Sequence, residues 1–192
     1  MTDDATILVV AATARELAAP VGWLTLRCGV GPVEAAAATA LAIAAHRPRA
    51  VLHVGVAGAR RACGIAPGAV IVGTEARYCD LPASLPPGWA ARAVAVAPSL
   101  VDAVRRVAPD AMPLPIGTSA RVGGTSGCDV EAMEGFGVLR AAELAGVPAV
   151  EVRVISNEVE EEDRARWRLD DALAAIVALT PRLVAELRSC VS

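Results

Sequence analysis

The sequence contains no lysine, so arginine supplies all 18 basic residues among the 192. This absence excludes catalysis through a lysine Schiff base and a phosphate-binding loop built around a lysine. The 21 acidic residues bring the formal net charge to -3, which gives no indication of a nucleic-acid partner. The chain also lacks an apolar run long enough, and free enough of proline and charge, to cross a bilayer. We therefore expect neither nucleic acid nor a membrane among its partners.

Residues that bind metals are few and poorly spaced. Five cysteines occur at irregular intervals without a Cys-x-x-Cys pair, and there are two histidines. The cysteines are Cys28, Cys63, Cys79, Cys128 and Cys190. We interpret them as reduced, mostly buried thiols and expect no metal site. His46 falls at a helix end and His53 inside a strand, so both are interpreted as structural. The sequence lacks the features of a signal peptide, which favours a cytoplasmic protein.

What the sequence does contain is a regular alternation of strand and helix patterns. Hydrophobic residues make up 55% and charged residues 20%, proportions typical of a globular domain. Short apolar runs predict strands at 6–12, 23–28, 50–54, 69–74 and 149–155. Helical patterns cover 32–46, 100–107 and 170–187, and another helix begins near Met133; Pro181 should kink or interrupt the last one. We predict one domain over residues 1–192, a three-layer α/β/α fold with a central, largely parallel mixed sheet.

Two short motifs place polar groups at the ends of these elements. Met133-Glu134 stands at the start of a helix, and Ser156-Asn157 stands at the end of the next strand. In an alternating α/β fold these two points lie on the same rim of the sheet, where ligands bind. An acid that can hold a sugar, beside an amide that can hold a base, is typical of a nucleoside-cleaving site.

Further motifs follow one another along nearly the whole chain. They lie at 9–16, 29–36, 53–58, 67–72 and 75–78, and the Met-Glu and Ser-Asn pairs complete the series. In this order and at these distances, the motifs resemble those of the nucleoside phosphorylase and nucleosidase superfamily. Within it, residues 134–136, 155–157 and 163–167 are most similar to the futalosine hydrolase family.

This resemblance implies hydrolysis of the N-glycosidic bond of futalosine, which releases hypoxanthine and dehypoxanthine futalosine in menaquinone biosynthesis. It also implies a cytoplasmic homo-oligomer (dimer or higher) that binds a small-molecule nucleoside and needs no cofactor. Three alternatives stay open: another purine nucleosidase, of the methylthioadenosine/S-adenosylhomocysteine or aminofutalosine type; a purine nucleoside phosphorylase; and a non-catalytic nucleoside-sensing module. A phosphorylase needs a phosphate pocket, for which Arg15, Arg60 and Arg61 are the available cations.

Cleavage of a ribosyl N-glycosidic bond builds positive charge on the ribose and negative charge on the departing purine. The resemblance places Asn157 on the base side, where nucleosidases that act on adenine nucleosides carry Asp. A neutral amide with two N–H donors can serve both N7 and O6 of a 6-oxo purine, which favours a hypoxanthine-type base. Ser156 beside it is expected to contact the substrate. The alternative for Asn157 is a cap on the turn or helix after the strand.

Two glutamates complete the expected catalytic set. Glu134 can accept hydrogen bonds from both ribose hydroxyls, and Met133 offers an apolar contact to sugar and base. The resemblance implies that Glu16, just past the first strand, activates the attacking water. A helix-terminal carboxylate is the alternative for Glu134, and an exposed helical side chain is the alternative for Glu16. Glu131 is interpreted as a solvated or capping carboxylate.

Small and apolar residues are expected to form the rest of the binding site. Val56, Ala57 and Gly58 follow a strand at the same rim, where small residues let the backbone approach a ligand closely. A plain tight turn is the alternative for these three. Val56 also stands where many relatives carry Ser or Thr, which argues against phosphate binding. The segment 125–129 is shorter than its counterpart in relatives, which leaves Arg121 and Val122 as the nearest candidate contacts to the base.

Overall fold

The computed structural model describes residues 6–125 and 127–191. In this part of the chain, eight strands alternate with four helices. The strands are β1 (Ile7–Ala11), β2 (Leu24–Arg27), β3 (Ala50–Ala59), β4 (Val70–Tyr78), β5 (Ala93–Ala95), β6 (Met112–Thr118), β7 (Val130–Ala132) and β8 (Ala149–Glu158). The helices are α1 (Pro32–His46), α2 (Pro98–Val107), α3 (Gly135–Leu144) and α4 (Leu169–Val191), and short 3-10 turns lie at Ala14–Glu16, Arg61–Cys63 and Arg164–Arg166.

The eight described strands form one mixed sheet in the order β2-β1-β3-β7-β6-β4-β5, and β8 pairs with both β3 and β4. β1 runs parallel to β2 and β3, β8 runs parallel to β3, and β6 runs parallel to β4 and β7. β8 is antiparallel to β4, β7 is antiparallel to β3, and β5 is antiparallel to β4. The predicted central mixed sheet is confirmed. In addition, the pairings follow a closed path, β3-β8-β4-β6-β7-β3, which was not predicted.

The helices pack against the sheet in two pairs, α1 with α3 and α2 with α4. β1 is buried along its whole length and β8 along nearly all of it, as expected for strands that are covered on both faces. Gly137 sets the approach of the first pair, because a Cβ there would collide with the carbonyl oxygen of Pro32. α4 buries Ile176, Leu183 and Leu187 in the core. The predicted α/β layering is therefore confirmed.

Several predicted element ends differ from the observed ones. The turn expected at 55–58 is wrong: β3 continues to Ala59, because β8 and β7 pair with it there. β8 extends to Glu158, so Ser156-Asn157 lies within the strand. The interruption expected at Pro181 is also wrong, because α4 continues through it. A proline removes only one helical N–H, and the buried apolar face of α4 holds the helix together across that position.

The cysteines are all free thiols, but fewer of them are buried than predicted. Cys28 and Cys128 are buried, Cys63 and Cys79 are half-buried, and Cys190 is exposed. Burial, assisted by the negative charge of Glu134, raises the pKa of the Cys28 thiol to about 12. No helix in residues 6–125 and 127–191 has the length and apolar character of a membrane span. The same residues contain no cluster of three or more side chains suited to a metal ion.

Candidate active site

One cavity of about 270 Å³ opens at the carboxyl ends of the parallel strands β1, β3 and β8. All nine residues predicted for the site line it. They are Glu16, Val56, Ala57, Gly58, Val122, Met133, Glu134, Ser156 and Asn157. Side chains that are far apart in the sequence meet here because parallel strands bring their carboxyl ends to one rim of the sheet.

Glu16 enters the cavity from the 3-10 turn that follows β1. Its Oε2 accepts hydrogen bonds from the backbone N and the Oγ1 of Thr13, both at 2.8 Å. Its Oε1 lies 3.4 Å from the backbone N of Val56. The residue is only 4% exposed, so the alternative of an exposed helical side chain is wrong. Thr13 holds one carboxylate oxygen, and the other is left beside the cavity.

Glu134 is the residue immediately before α3, as predicted for the Met-Glu motif. Its side chain makes no capping hydrogen bond to that helix. Instead Oε1 accepts a hydrogen bond from the backbone N of Gly31 at 3.2 Å, and Oε2 lies 3.4 Å from Nη2 of Arg153. Residue 134 is 4% exposed. The carboxylate is thus held between two donors at the wall of the cavity, which a simple helix-terminal role does not require.

Asn157 is fixed by its two sequence neighbours. Its Oδ1 accepts a hydrogen bond from Oγ of Ser156 at 2.7 Å, and its Nδ2 donates to the carbonyl of Glu158 at 2.9 Å. One N–H of the amide is therefore used, so the expected pair of donors to N7 and O6 is reduced to one. The alternative of a helix cap is wrong, because the next helical turn is capped by Asp163. Gly58 leaves room for the amide, with an added Cβ only 3.2 Å from Nδ2.

Arg153 is a charged cavity residue that was not predicted from the sequence, although it lies on the same strand as Asn157. It is 1% exposed and lies in the middle of the apolar strand β8. Its Nη1 donates to the carbonyl of Val56 at 3.3 Å, and its Nη2 faces Glu134 and Nε2 of His53. Its neighbouring carboxylates, Glu151 first, raise the pKa of the guanidinium despite its burial. A lone arginine inside an apolar strand was the signal available in the sequence.

His53 is buried next to Arg153 and is structural, as predicted. Nδ1 lies 3.0 Å from the carbonyl oxygen of Val10, which can only accept, so Nδ1 carries the proton. Nε2 is then free to accept a hydrogen bond from Arg153. Burial and the charge of Arg153 lower the pKa of His53 well below its ordinary value. The ring is therefore a neutral acceptor that holds the guanidinium.

Gly55 lies at the point where Glu16, the general-base candidate, and Arg153 come close together. A Cβ on this residue would collide with Nη1 of Arg153 and lie 2.7 Å from Oε1 of Glu16. Glycine is therefore required here by close approach. The absence of a side chain lets a cationic donor and an anionic acceptor approach each other over this point of β3.

Glu131 is buried at the cavity, so its interpretation as a solvated or capping carboxylate is wrong. Its Oε2 accepts hydrogen bonds from Oγ1 and the backbone N of Thr125 at 2.6 and 3.4 Å, and its Oε1 accepts from the backbone N of Gly123 at 2.5 Å. Arg60 approaches the same carboxylate at 3.3 Å. We call these four residues the Glu131 clamp. They hold the loop that carries Val122, which is 49% exposed at the mouth of the cavity. The short segment 125–129 includes Ser126, which lies outside the described residues.

The three arginines considered for a phosphate pocket do not converge. Arg15 lines the cavity but pairs with Asp170 at 2.6 Å on the exposed surface. Arg60 belongs to the Glu131 clamp, and Arg61 pairs with Glu158 at 2.6 Å. Arg15 and Arg61 thus form their ion pairs outside the cavity, and Arg60 pairs with Glu131 at its wall.

Comparisons with known proteins identify the family to which the chain belongs. The family model of the phosphorylase superfamily matches residues 21–191. A futalosine hydrolase of Streptomyces coelicolor is 34% identical over 197 aligned residues, which cover 88% of this chain and 82% of the relative. The chain belongs to the futalosine hydrolase family, within the phosphorylase superfamily. The predicted resemblance is confirmed, and family membership makes the chain an N-glycosyl hydrolase, as predicted.

Solved structures extend the comparison at the level of the fold. A methylthioadenosine/S-adenosylhomocysteine nucleosidase from Colwellia psychrerythraea superposes with a TM-score of 0.84 at 19% identity, over 96% of both chains. A futalosine hydrolase of Helicobacter pylori gives a TM-score of 0.83 at 18% identity, over 95% of this chain and 98% of the other. At these identities the likeness establishes the shared fold.

Proposed function

We propose that this protein hydrolyses the N-glycosidic bond of futalosine and releases hypoxanthine and dehypoxanthine futalosine. The observation that carries the proposal is the convergence of Glu16, Glu134, Arg153 and Asn157 on one cavity. The relative from Streptomyces coelicolor, which is a futalosine hydrolase, supports the choice of substrate. From the family resemblance we further propose that the enzyme acts in menaquinone biosynthesis, in the cytoplasm, as a homo-oligomer that needs no cofactor.

Asn157 stabilises the departing base. Because one of its N–H groups is bound to the carbonyl of Glu158, the other is directed to the purine. An amide has no proton to give up at neutral pH, so the base leaves as an anion that accepts this hydrogen bond and takes its proton from solvent. A 6-oxo purine spreads this negative charge onto O6, which suits a neutral donor better than a carboxylate. Asn157 therefore favours hypoxanthine over adenine as the leaving group.

Glu134 and Glu16 act on the sugar side of the bond. Glu134 accepts hydrogen bonds from the ribose hydroxyls, and its negative charge stabilises the cationic ribose as the base departs. Glu16 takes a proton from a water in the cavity, and the resulting oxygen nucleophile bonds to C1′ while the C1′–N bond breaks. Arg153 orients that water through Nη1. The general base lies close to the water because Thr13 holds its second oxygen.

Water is favoured over phosphate as the nucleophile. The buried carboxylates Glu16 and Glu134 repel a second anion, and Arg153 is the cation between them. Val56 supplies no hydroxyl to hold phosphate, and Arg60 and Arg61 do not line the cavity and are paired with Glu131 and Glu158. A purine nucleoside phosphorylase is therefore the weaker candidate. A nucleosidase acting on methylthioadenosine is the second candidate, since the cavity offers apolar side chains, including Trp167, Leu169 and Leu173.

Chromatographic product analysis tests the proposal. The purified protein is incubated with futalosine, its 6-amino analogue, methylthioadenosine and inosine, each with and without phosphate. Hypoxanthine released from futalosine without phosphate is the expected result. Adenine released equally well from the amino substrates would show that Asn157 does not select the base. Product formation only with phosphate would instead assign the protein to the phosphorylases.

A further inference from the structure

A buried carboxylate outside the cavity contacts the arginine inside it. Glu151 is fully buried and is absent from the lining of the cavity, whereas Arg153 is part of that lining. The two residues are separated by one position on β8, so both side chains point to the same face of the strand. Oε1 of Glu151 accepts a hydrogen bond from Nε of Arg153 at 2.7 Å. Glu151 thus holds the guanidinium from behind, on the side away from the substrate.

The remaining contacts of Arg153 define its orientation. A guanidinium has five N–H donors in one plane. Four are accounted for by Glu151 on Nε, Val56 on Nη1, and His53 and Glu134 on Nη2. The fifth is on Nη1, which lies over Gly55 on the side of Glu16. The hydrogen bond to Nε is the shortest of the contacts to oxygen, and it fixes the plane in which Nη1 and Nη2 face the cavity.

Glu151 also contacts the start of α3. A Cβ on Gly135 would collide with both carboxylate oxygens of Glu151, so this glycine is needed for the carboxylate to fit. Gly135 directly follows Glu134, the proposed ribose acceptor. One buried carboxylate therefore touches the arginine through Nε and the backbone that carries the ribose acceptor.

Burial of Glu151 is energetically unfavourable, which indicates that this side chain does more than fill space in the core. Its Oε2 has no hydrogen-bond partner in the described structure, and burial raises the pKa of its carboxyl despite the neighbouring Arg153. An apolar side chain of similar volume would avoid this unsatisfied oxygen. It would, however, leave Nε of Arg153 without an acceptor and the guanidinium free to rotate.

We propose that Glu151 is a positioning residue for hydrolysis, which holds Arg153 so that Nη1 faces the attacking water and Nη2 faces Glu134. This inference rests on the proposed nucleosidase activity. It predicts that an acceptor at position 151 matters more than the negative charge. Misplacement of the guanidinium impairs the chemical step more than the binding of substrate.

The test compares two variants of nearly equal size. In Glu151→Met the acceptor is lost, and kcat should fall about 10- to 100-fold while KM changes less than about threefold. In Glu151→Gln the Oε1 acceptor is kept, and kcat should fall no more than about threefold, since the geometry is retained. Ile176→Val, in the core of α4, serves as a control for a general loss of stability without a change in kcat.

A second readout does not depend on turnover. The ¹⁵N NMR signal of the Arg153 Nε–H, assigned by its loss in Arg153→Lys, should be protected from exchange in the parent and in Glu151→Gln. It should lose that protection in Glu151→Met. A kcat in Glu151→Met within twofold of the parent, or equal losses in both Glu151 variants, would overturn the positioning role. A parent protein that cleaves no purine nucleoside would overturn the proposed function itself, and is thereby distinguished from a failure at Glu151 alone.

Discussion

Two clusters that contain glutamate and arginine side chains border the cavity, and they are built in different ways. The first, which we call the Arg153 cluster, consists of His53, Glu134, Glu151 and Arg153, and three of these side chains come from the long strands β3 and β8. The second is the Glu131 clamp, in which β7 holds a loop through two backbone N–H groups. Arg153 is 1% exposed, while the Arg60 side chain is 26% exposed. From this difference we expect the Arg153 cluster to act in the chemical step and the loop held by the Glu131 clamp to act in substrate binding.

The largest expected effect comes from the acid that faces the Arg153 cluster. Glu16→Gln keeps the hydrogen bond from Thr13 but removes the base, so kcat should fall about 10³-fold. The affinity for an unreacted nucleoside should stay close to that of the parent. Steady-state kinetics and equilibrium binding measure both. Glu34→Gln, on the exposed first turn of α1, is the matched control, and turnover near the parental rate in Glu16→Gln would refute the assignment.

Gly55→Ala tests whether catalysis requires the close approach of Glu16 and Arg153 to this glycine. The added Cβ would push both groups aside, and kcat should fall about 100-fold, since catalysis is sensitive to shifts of an ångström. Gly73→Ala is the control on β4, where a Cβ would approach no atom closer than 3.4 Å. A larger loss in Gly73→Ala than in Gly55→Ala would argue that glycine in these strands serves packing alone.

The Glu131 clamp should affect binding more than chemistry. Glu131→Ala leaves Arg60 and the donors of Gly123 and Thr125 without their acceptor, so the free energy of unfolding should fall by about 1–3 kcal/mol. Because the loop carries Val122 at the mouth of the cavity, KM should rise more than kcat falls. Denaturant unfolding and initial-rate kinetics measure the two effects. Asp129→Ala, at an exposed position, is the control. If Glu131→Ala lowers kcat alone, the expected difference between the Glu131 clamp and the Arg153 cluster is wrong.

The smallest effect is a pH dependence of stability that arises from His53. Burial first, and then the charge of Arg153, lower the pKa of this ring below its ordinary value of 6.5. Below pH 6.5, His53 binds a proton in the unfolded chain but stays neutral in the folded protein. The free energy of unfolding should therefore fall as pH drops, by up to about 1.4 kcal/mol per pH unit.

The contribution of Glu151 to stability depends on pH in the opposite direction. Burial raises the pKa of its carboxyl above the ordinary value of 4.5, so its contribution to stability is largest at low pH and declines as pH rises toward the raised pKa. Urea unfolding of Glu151→Gln between pH 5.5 and 7.5 isolates the effect of His53. The free energy of unfolding should depend less steeply on pH once His53→Gln is added to Glu151→Gln. An unchanged dependence on pH would show that the His53 ring is not its source.

The sequence allowed a good part of this site to be predicted, because strand ends and their order are visible in hydrophobic patterns. Glu134 and Asn157 were expected at element ends, the family resemblance indicated Glu16 just past the first strand, and all three line the cavity. The role of Arg153 was missed because its acceptors come from β3, β8 and the start of α3, and only the folded sheet brings them together. Glu131 was misinterpreted for a similar reason: its partners lie in a loop without a periodic pattern.

Element ends were less predictable than element types. The residues 55–58 have the composition of a turn, yet they continue β3 because two other strands supply hydrogen-bond partners there. Small residues suit a strand when the space above it is filled by other side chains, here Glu16 and Arg153 above Gly55. Pairing with distant strands overrides local propensity, and that pairing cannot be derived from a local pattern.

The closed path of strand pairing has a consequence for how the enzyme is made. β3 pairs with β8 in a register that joins Val51 to Ala149, so the ring closes across nearly a hundred residues of chain. Contacts of such long range form slowly, because the entropy of loop closure opposes them until the late segment arrives. During synthesis on the ribosome, β3 emerges well before its partner and waits with an apolar edge unpaired. We expect this interval, rather than the finished enzyme, to be the stage at which the chain depends on chaperones.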